Sequence, residues 1–405
     1  MKVKQIIPCL LLFLCLTASC RVDCTELDTE TYVSVQFGIL QGLSSDRPVA
    51  KDHRAPGTDV DNKLEELRVI IFPAGENRSV VNYLATAQDL TNRRATFLFD
   101  KMARYDFYFI ANESASNQKS GALAFLSGEQ VNRADLESMT GVQMVNVASE
   151  VQNSGLGSAI MMTALYKNVP VSTSLRGSGT QSDPYVVDFT AFNKIQRPNY
   201  TEQPDRSKAE LMRSLAKVEL TLKGIVAIRT KPGSSATTPQ YDYSWTLPYG
   251  YKDNSKLQIE ILNMPKSYTL FPSSKLTDIA TVGTLPPYQF SFKSKPDPKY
   301  VIQPDISEPS IGGIYMGDYV ITIYLPEYLA AKSLAENAQP AIKITYYEAG
   351  ADTPKSRTYP FKNESASAQT TDYETILEDL PERADWNVYR NRLYQINANI
   401  LGKEL

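Results

Sequence analysis

Residues whose side chains could support catalysis are few and lie near the N-terminus. The chain contains one histidine, His53, and its four cysteines all fall within the first 24 residues. Ser-His-Asp and Cys-His catalysis both need a histidine, and the common zinc sites need histidine or cysteine ligands. If the chain is cut after the neighbouring Arg54, the remainder holds neither residue type. The sequence therefore predicts a protein that is not an enzyme and that uses no cofactor.

Carboxylate clusters are the other candidates for chemistry. Residues 59–62, Asp-Val-Asp-Asn, suggest a calcium loop but lack the glycine and the terminal glutamate at the required spacing. The pairs Glu65-Glu66 and Glu378-Asp379 could serve a glycosidase, which uses two carboxyl groups. Because carboxylates adjacent in sequence usually mark a solvated face, we predict neither a metal site nor a catalytic site at these positions.

Residues 44–57 contain a candidate processing site. This stretch is polar and punctuated by proline and glycine, as is typical of a surface loop. Of its two arginines, Arg47 precedes Pro48, and trypsin-like enzymes cut poorly before proline. The bond between Arg54 and Ala55 is therefore the predicted cleavage site. The alternative is that Arg54 is an ordinary solvated loop residue.

Two strand-like runs flank this loop. In residues 32–39, Val33, Val35, Phe37 and Ile39 alternate with smaller or polar residues, which predicts a half-buried strand. Residues 67–72 are rich in β-branched and aromatic side chains and predict a more fully buried strand. A cut after Arg54 would turn the first strand into a removable piece.

The first 20 residues have the composition of an export signal. Lysines precede a short apolar core, and small residues lead to Cys20, which resembles the lipidation site of a bacterial lipoprotein. The usual leucine three places before the cysteine is here Thr17. A plain secretory signal is the alternative. The net charge of −3 comes without a basic stripe, which argues against nucleic-acid binding.

The rest of the chain predicts an all-β fold with a few short helices. Short strands with turns between them favour antiparallel β-sandwiches. We predict a signal peptide over residues 1–20 and a propeptide over 21–54, followed by an N-terminal sandwich domain over 55–205 and a C-terminal one over 206–405. Short helical runs are predicted at residues 121–126, 132–138 and 209–215. Residues 172–208, rich in glycine, serine and proline, are expected to form exposed connections.

Exposed aromatic residues suggest a binding surface. Tyr249 and Tyr251 flank Gly250 in a predicted turn, where they could stack on a sugar or contact a partner protein. These two tyrosines are the candidate ligand contacts of the chain.

Several stretches together resemble the fimbrillins, the subunits of type V pili. The stretches that carry the resemblance are Cys20, residues 32–40, residues 54–57, residues 64–75, residues 105–113, residues 213–220, residues 323–328 and residues 388–394. The resemblance implies two tandem transthyretin-like β-sandwich domains. It also implies a lipoprotein precursor that is carried to the outer membrane, cut after an arginine by an arginine-specific protease, and displayed on the fimbrium. Loss of the N-terminal strand would open a groove, which a neighbouring subunit would fill with a strand of its own.

Two functional classes follow from this resemblance. The first is a fimbrial subunit whose partners are other pilus subunits and a host glycan or protein. Because the chain ends at Leu405, soon after its last predicted strand, we expect it to receive a strand and to occupy the tip or an accessory position. Alternatively, residues 387–401 are themselves the donor. The second class is a non-polymerising surface lipoprotein, such as a pilus anchor or a glycan-binding module.

Overall fold

A computed structural model describes most of the N-terminal half of the chain and selected strands of the C-terminal half. The described residues are 26–39, 63–113, 130–138, 140–141, 160–193, 207–232, 241–246, 258–265, 268–271, 282–283, 288–289, 301–302, 314–329, 338–346, 353–361, 388–391 and 393–399. Strands predominate in these ranges and the helices are short, so the predicted all-β class is confirmed. No helix in these ranges is long and apolar enough to cross a membrane.

The N-terminal half is built around one eight-stranded sheet. Its strands, with the short β6 that pairs elsewhere, are β1 (Glu26–Ile39), β2 (Leu67–Pro73), β3 (Val81–Leu84), β4 (Arg94–Lys101), β5 (Arg104–Ala111), β6 (Thr140–Gly141), β7 (Met162–Pro170), β8 (Tyr185–Val186) and β9 (Ala209–Arg213). The sheet order is β3-β2-β5-β7-β9-β1-β4, and β8 also pairs with β1. Residues that adjoin in this sheet are therefore often far apart in sequence.

The sheet curls until its two ends meet. Although β3 and β4 stand at opposite ends of the order, the rings of Tyr83 and Phe97 pack edge to face with centroids 5.4 Å apart. Phe99 of β4 meets Tyr105 of β5 in the same way at 4.8 Å. The inward side chains of all the longer strands thus share one apolar core, as in a β-sandwich.

Two short helices complete the described part of this half. Helix α1 (Ala87–Asn92) begins at a capping box in which Thr86 and Asp89 bond to each other's backbone N–H groups. Helix α2 (Arg133–Glu137) lies on the outer face of β5, where Tyr108 donates a 2.6 Å hydrogen bond to Glu137. Burial raises the pKa of Tyr108, which keeps this hydroxyl protonated as a donor. The predicted helix at 132–138 is confirmed, whereas α1 was not predicted.

Among the described residues, the C-terminal half contributes strands to two larger sheets and to two two-stranded ones. Its strands are β10 (Leu215–Pro232), β11 (Tyr241–Thr246), β12 (Gln258–Leu262), β13 (Met264–Pro265), β14 (Tyr268–Thr269), β15 (Val282–Gly283), β16 (Tyr288–Gln289), β17 (Val301–Ile302), β18 (Ile314–Pro326), β19 (Ala341–Tyr346), β20 (Lys355–Pro360) and β21 (Leu393–Asn399). One sheet has the order β11-β10-β18-β17, with β21 also paired to β10. The other has the order β16-β12-β19-β20.

A buried arginine joins segments from distant parts of the chain. Arg390, 1% exposed, donates to the carboxylate of Glu327 at 2.9 and 3.1 Å and to the carbonyl oxygens of Thr269 and Leu270 at 3.0 and 3.1 Å. The Leu270 carbonyl also accepts a 3.0 Å hydrogen bond from Thr163 of β7. We refer to Arg390, Glu327 and residues 269–270 as the arginine clamp. It links the N-terminal sheet to the C-terminal half.

The predicted helix at residues 209–215 is wrong. Residues 209–213 form β9, which pairs parallel with β1 and antiparallel with β7. The residues of this segment, Ala-Glu-Leu-Met-Arg, favour a helix only weakly, and pairing with the two neighbouring strands overrides that preference. The division into two domains stays a prediction, but β9 belongs to the N-terminal sheet, on the far side of the predicted 205/206 boundary. The predicted helix at 121–126 lies outside the described residues.

Candidate functional site

The first strand lies in the interior of the N-terminal sheet. On one side β1 pairs antiparallel with β4, from Thr31 opposite Phe99 to Gln36 opposite Arg94. On the other side it pairs parallel with β8 at Val33 and Ser34, and then with β9 from Phe37 to Ile39. Both edges of β1 are therefore hydrogen-bonded. Its sequence neighbour β2 is not among its partners and instead pairs with β3 and β5.

The inward face of β1 forms part of the core. Val33, Val35 and Phe37 are 0% exposed and belong to the central apolar cluster, together with Phe97, Ala95 and Leu211 on the strands beside them. Ile39 is only partly buried and packs at the edge of this cluster. The alternation predicted from the sequence is confirmed, and burying each of these large side chains is worth roughly 1.5–3 kcal/mol.

The outward face of β1 contains a buried polar contact. Ser34 is 0% exposed, and its hydroxyl accepts a 2.8 Å hydrogen bond from Nη2 of Arg94. The Ser34 carbonyl accepts a 3.0 Å hydrogen bond from the N–H of Val187, which extends the pairing with β8. The sequence pattern predicted the apolar face of this strand but gave no sign of the contact with Arg94, which is 60 residues away.

A glycine turn lies against the N-terminal part of β1. The Gly179 carbonyl accepts a 2.9 Å hydrogen bond from the N–H of Tyr32. Gly179 has a φ of +76°, and a Cβ there would lie 2.6 Å from the ring of Tyr185 and 3.0 Å from Cγ2 of Thr31. Sequence reasoning assigned this region to exposed connections. In the structure it provides a hydrogen-bond acceptor for β1, and only glycine fits.

Replacing Gly179 with alanine is expected to destabilise the fold by about 2 kcal/mol, since it adds both left-handed backbone strain and a clash with Tyr185. Gly75→Ala is the matched control, because Gly75 has a φ of +83° but nothing within 4 Å of an added Cβ. Denaturant unfolding should show a clearly smaller loss for Gly75→Ala. Equal losses would mean that the turn does not support β1.

A buried tyrosine holds β9 beside β1. The Tyr166 hydroxyl donates a 2.7 Å hydrogen bond to Asn193 and accepts one of 2.8 Å from the backbone N–H of Glu210. Asn193 in turn donates to the Lys208 carbonyl at 2.8 Å. Burial raises the pKa of Tyr166, so the hydroxyl stays protonated and can donate. These bonds fix β9 through groups that do not belong to β1.

The chain that follows the predicted cleavage site is anchored independently of β1. Asn112, 1% exposed, accepts a 2.9 Å hydrogen bond from the N–H of Glu65 and donates from Nδ2 to the carbonyls of Lys63 and Ile160, both at 2.8 Å. Its own N–H bonds to the Glu66 carbonyl at 3.0 Å. The start of β2 is therefore tied to the ends of β5 and β7. A cut upstream of residue 63 leaves these contacts in place.

Asn112→Ala is expected to lower the free energy of unfolding by about 2–3 kcal/mol, because buried donors and acceptors lose their partners. Asn112 also has a φ of +60°, which asparagine tolerates better than alanine. Asn168→Ala is the matched control, since Asn168 has a φ of +61° but an exposed side chain. Thermal unfolding should show a larger loss at position 112. Similar losses at both positions would mean that Asn112 stabilises the fold through its backbone conformation and not through its side-chain hydrogen bonds.

The other residues singled out from the sequence lie outside the described residues. These are the lipidation candidate Cys20, the cleavage pair Arg54 and Ala55, and the ligand-contact candidates Tyr249 and Tyr251. Their roles stay predictions. Within the described ranges, no group of three or more histidine, cysteine, aspartate or glutamate residues could hold a metal ion.

Two stretches that carried the family resemblance come together in the structure. Tyr328 and Val388 form a two-way backbone bridge, with N–H to O distances of 2.7 and 2.9 Å. The bridge places Arg390 next to Glu327, the ion pair of the arginine clamp. Residues 323–328 and 388–394 thus form one local unit.

Solved structures similar to this chain include two from Porphyromonas gingivalis. The tip fimbrial protein Mfa3, with a C-terminal truncation, is 15% identical with a TM-score of 0.45, and the match covers 93% of this chain and 97% of that one. A fimbrilin (FimA) from strain W83 is 11% identical with a TM-score of 0.45, covering 91% of this chain and 90% of that one. Both are fimbrial proteins. No protein-family model and no curated protein matches the sequence.

Proposed function

We propose that this protein is a fimbrial subunit that is cut after Arg54, loses β1, and accepts a strand from a neighbouring subunit in its place. The observation that carries the proposal is the position of β1. It fills a slot between β4 on one side and β8 and β9 on the other, with three side chains wholly buried. A strand in that position is required by the fold, yet the predicted cut would separate it from the rest of the chain.

The topology favours clean removal of β1. Because β1 and β2 do not pair with each other, loss of β1 breaks no hairpin that β2 needs. Asn112 anchors residues 63–66, which directly precede β2 in the retained chain. The pairing of β2 with β5, and of β5 with β7, does not involve β1. The ladders that join β3, β2, β5, β7 and β9 can therefore stay intact when this strand is lost, whereas β4, which among the described strands pairs with β1 alone, loses its ladder.

The physical chemistry favours replacement of the lost strand. Removing β1 exposes a row of backbone N–H and C=O groups on β4 and on β9, together with an apolar slot. Unpaired buried polar groups and exposed apolar surface are both unfavourable, and an added strand relieves both at once. Addition of a strand to an open sheet edge is a recurring mode of protein recognition.

The donor alternative from the sequence is less well supported. The last described strand, β21, pairs parallel with β10 from Lys217 to Lys223. A strand used in its own sheet over seven residue pairs is not a free donor. We therefore assign this subunit the role of an acceptor, at the tip or in another accessory position, with Tyr249 and Tyr251 as candidate adhesive contacts. Cys20 would hold the precursor at the outer membrane through its lipid.

The experiment treats the purified precursor with an arginine-specific protease and determines the new N-terminus. We expect cleavage to leave Ala55 as the first residue, and the Arg54→Gln variant to resist while the control Arg47→Gln is cut normally. The cut protein should then bind other fimbrial subunits, as followed by native mass spectrometry. A chain that stays uncut and monomeric under these conditions would overturn the proposal and favour a non-polymerising surface lipoprotein.

A further inference from the structure

The slot occupied by β1 is not purely apolar. Ser34 lies on the outward face of the strand, yet it is 0% exposed. Its hydroxyl is the acceptor for Nη2 of Arg94 at 2.8 Å and lies 3.4 Å from the Tyr185 carbonyl, at the limit of a hydrogen bond. A polar side chain in such a place is retained by its partners, because burying it without them is costly.

Arg94 depends on this contact. It is the first residue of β4 and stands opposite Gln36, so its side chain reaches diagonally along the outer face to Ser34. Its Nε is buried and has no hydrogen-bond partner, which leaves the Nη2 bond to Ser34 as the hydrogen bond of this buried part of the guanidinium. Any strand that lacks an acceptor at this position would leave Nη2 of the half-buried Arg94 without this hydrogen bond, beside an Nε that already has none.

We infer that the slot selects the incoming strand by a side-chain hydrogen-bond acceptor at the position of Ser34. The neighbouring positions, those of Val33, Val35 and Phe37, take large apolar residues. The partner is therefore an extended segment of the pattern apolar–acceptor–apolar–any–apolar, in which the acceptor is serine or aspartate. A carboxylate would bond to the guanidinium with the added strength of a charged pair. This inference rests on the proposed function and specifies the partner of the same site.

The selection works mainly by exclusion. A strand with alanine at the acceptor position fills the slot equally well but leaves the guanidinium without an acceptor. A site built around a hydrogen bond rejects an analogue that lacks the bonding group more strongly than an apolar pocket rejects one that lacks a methyl group. For a hydrogen bond to a charged group the expected discrimination is about tenfold to a hundredfold in affinity.

The test uses synthetic β1 peptides and the full chain. Residues 51–54 are replaced by the recognition site of a sequence-specific viral protease and the chain is cut, so that added peptides compete with the original strand for the slot. Three fluorescent peptides covering residues 26–39 are then titrated: the unaltered sequence, Ser34→Ala and Ser34→Asp. Each is measured against the unaltered protein, Arg94→Met, and the control Arg93→Asn, which removes the neighbouring cation and keeps a residue suited to the φ of +54° at that position.

We expect Ser34→Ala to bind the unaltered protein and Arg93→Asn about tenfold to a hundredfold more weakly than the unaltered peptide, and Ser34→Asp to bind at least as well as the unaltered peptide. For the Arg94→Met protein, the affinities of the unaltered peptide and the Ser34→Ala peptide should differ by less than about threefold. If Arg94→Met does not fold, Arg94→Leu serves in its place, since it also removes every side-chain donor at this position.

The failures of this inference and of the proposed function are distinct. If all three peptides bind the unaltered protein with the same affinity, or if the loss with Ser34→Ala is equally large against Arg94→Met, the inference is overturned while strand acceptance stands. If the unaltered peptide does not bind the cut chain at all, both are overturned, because no strand can be accepted.

Discussion

Replacing Phe37 with alanine is expected to lower the free energy of unfolding by about 3–5 kcal/mol. The side chain is 0% exposed at the centre of the N-terminal core, on the stretch of β1 that pairs with β9. Truncation removes its apolar contacts and leaves a cavity that a curled sheet can fill only in part. Denaturant unfolding of the uncut chain measures this loss directly.

The same substitution also tests how tightly β1 is bound once the chain is cut. In the cut chain, where β1 is held by non-covalent contacts alone, Phe37→Ala should increase the dissociation constant of the strand by about a hundredfold or more. Leu98→Ala is the control, because Leu98 lies on the neighbouring strand but is 43% exposed, and its replacement should change stability by less than about 0.5 kcal/mol. If Phe37→Ala were as mild as Leu98→Ala, β1 would not contribute to the core as described.

Breaking the arginine clamp has the second large expected effect. Arg390→Met should cost about 3–5 kcal/mol, because it leaves the buried carboxylate of Glu327 without its cation. The side chains of this pair are 0% and 5% exposed, and one oxygen of Glu327 already lacks a partner. Circular dichroism during thermal unfolding, with urea titration for the free energy, provides the measurement.

A control variant and a double variant test whether this loss of stability comes from the buried ion pair. Lys343→Met breaks the ion pair between Lys343, whose side chain is 35% exposed, and Glu260, whose side chain is 21% exposed. Because this pair is partly solvated, the variant should lower the free energy of unfolding by less than about 1 kcal/mol. The double variant Arg390→Met, Glu327→Leu removes both charges and should recover much of the stability lost by Arg390→Met alone. A double variant as unstable as the single one would show that the clamp acts through the carbonyls of residues 269–270 and not through the ion pair.

The strands with a strong local pattern could be predicted from the sequence. Residues 32–39 alternate apolar and polar side chains, and the structure buries Val33, Val35 and Phe37 completely. The aromatic and apolar residues of positions 104–111 likewise predict a strand, and the structure confirms it as β5 (Arg104–Ala111), whose side chains contact a core on each face of the sheet. In both cases the residue types themselves determine the side of the sheet on which they lie.

The features that depend on distant pairing could not be predicted. β9 was predicted as a helix because its own residues favour one, and only β1 and β7 make it a strand. The contacts of Arg94 with Ser34, of Gly179 with Tyr32, and of Asn112 with residues 63–66 join positions that the local pattern does not connect. Sequence reasoning therefore identified the strand that fills the slot but not the groups that hold it there.

Hydrogen exchange before and after the cut tests most directly whether β1 can leave the sheet and be replaced. In the intact chain the amides of β4 (Arg94–Lys101) that face β1 should be protected, since their ladder is complete. Once β1 is cut and displaced, these amides should exchange rapidly while those of β2 and β5 stay protected, and added β1 peptide should restore the protection of β4. Loss of protection in β2 and β5 together with β4, or unchanged protection of β4 after β1 has left, would contradict the account.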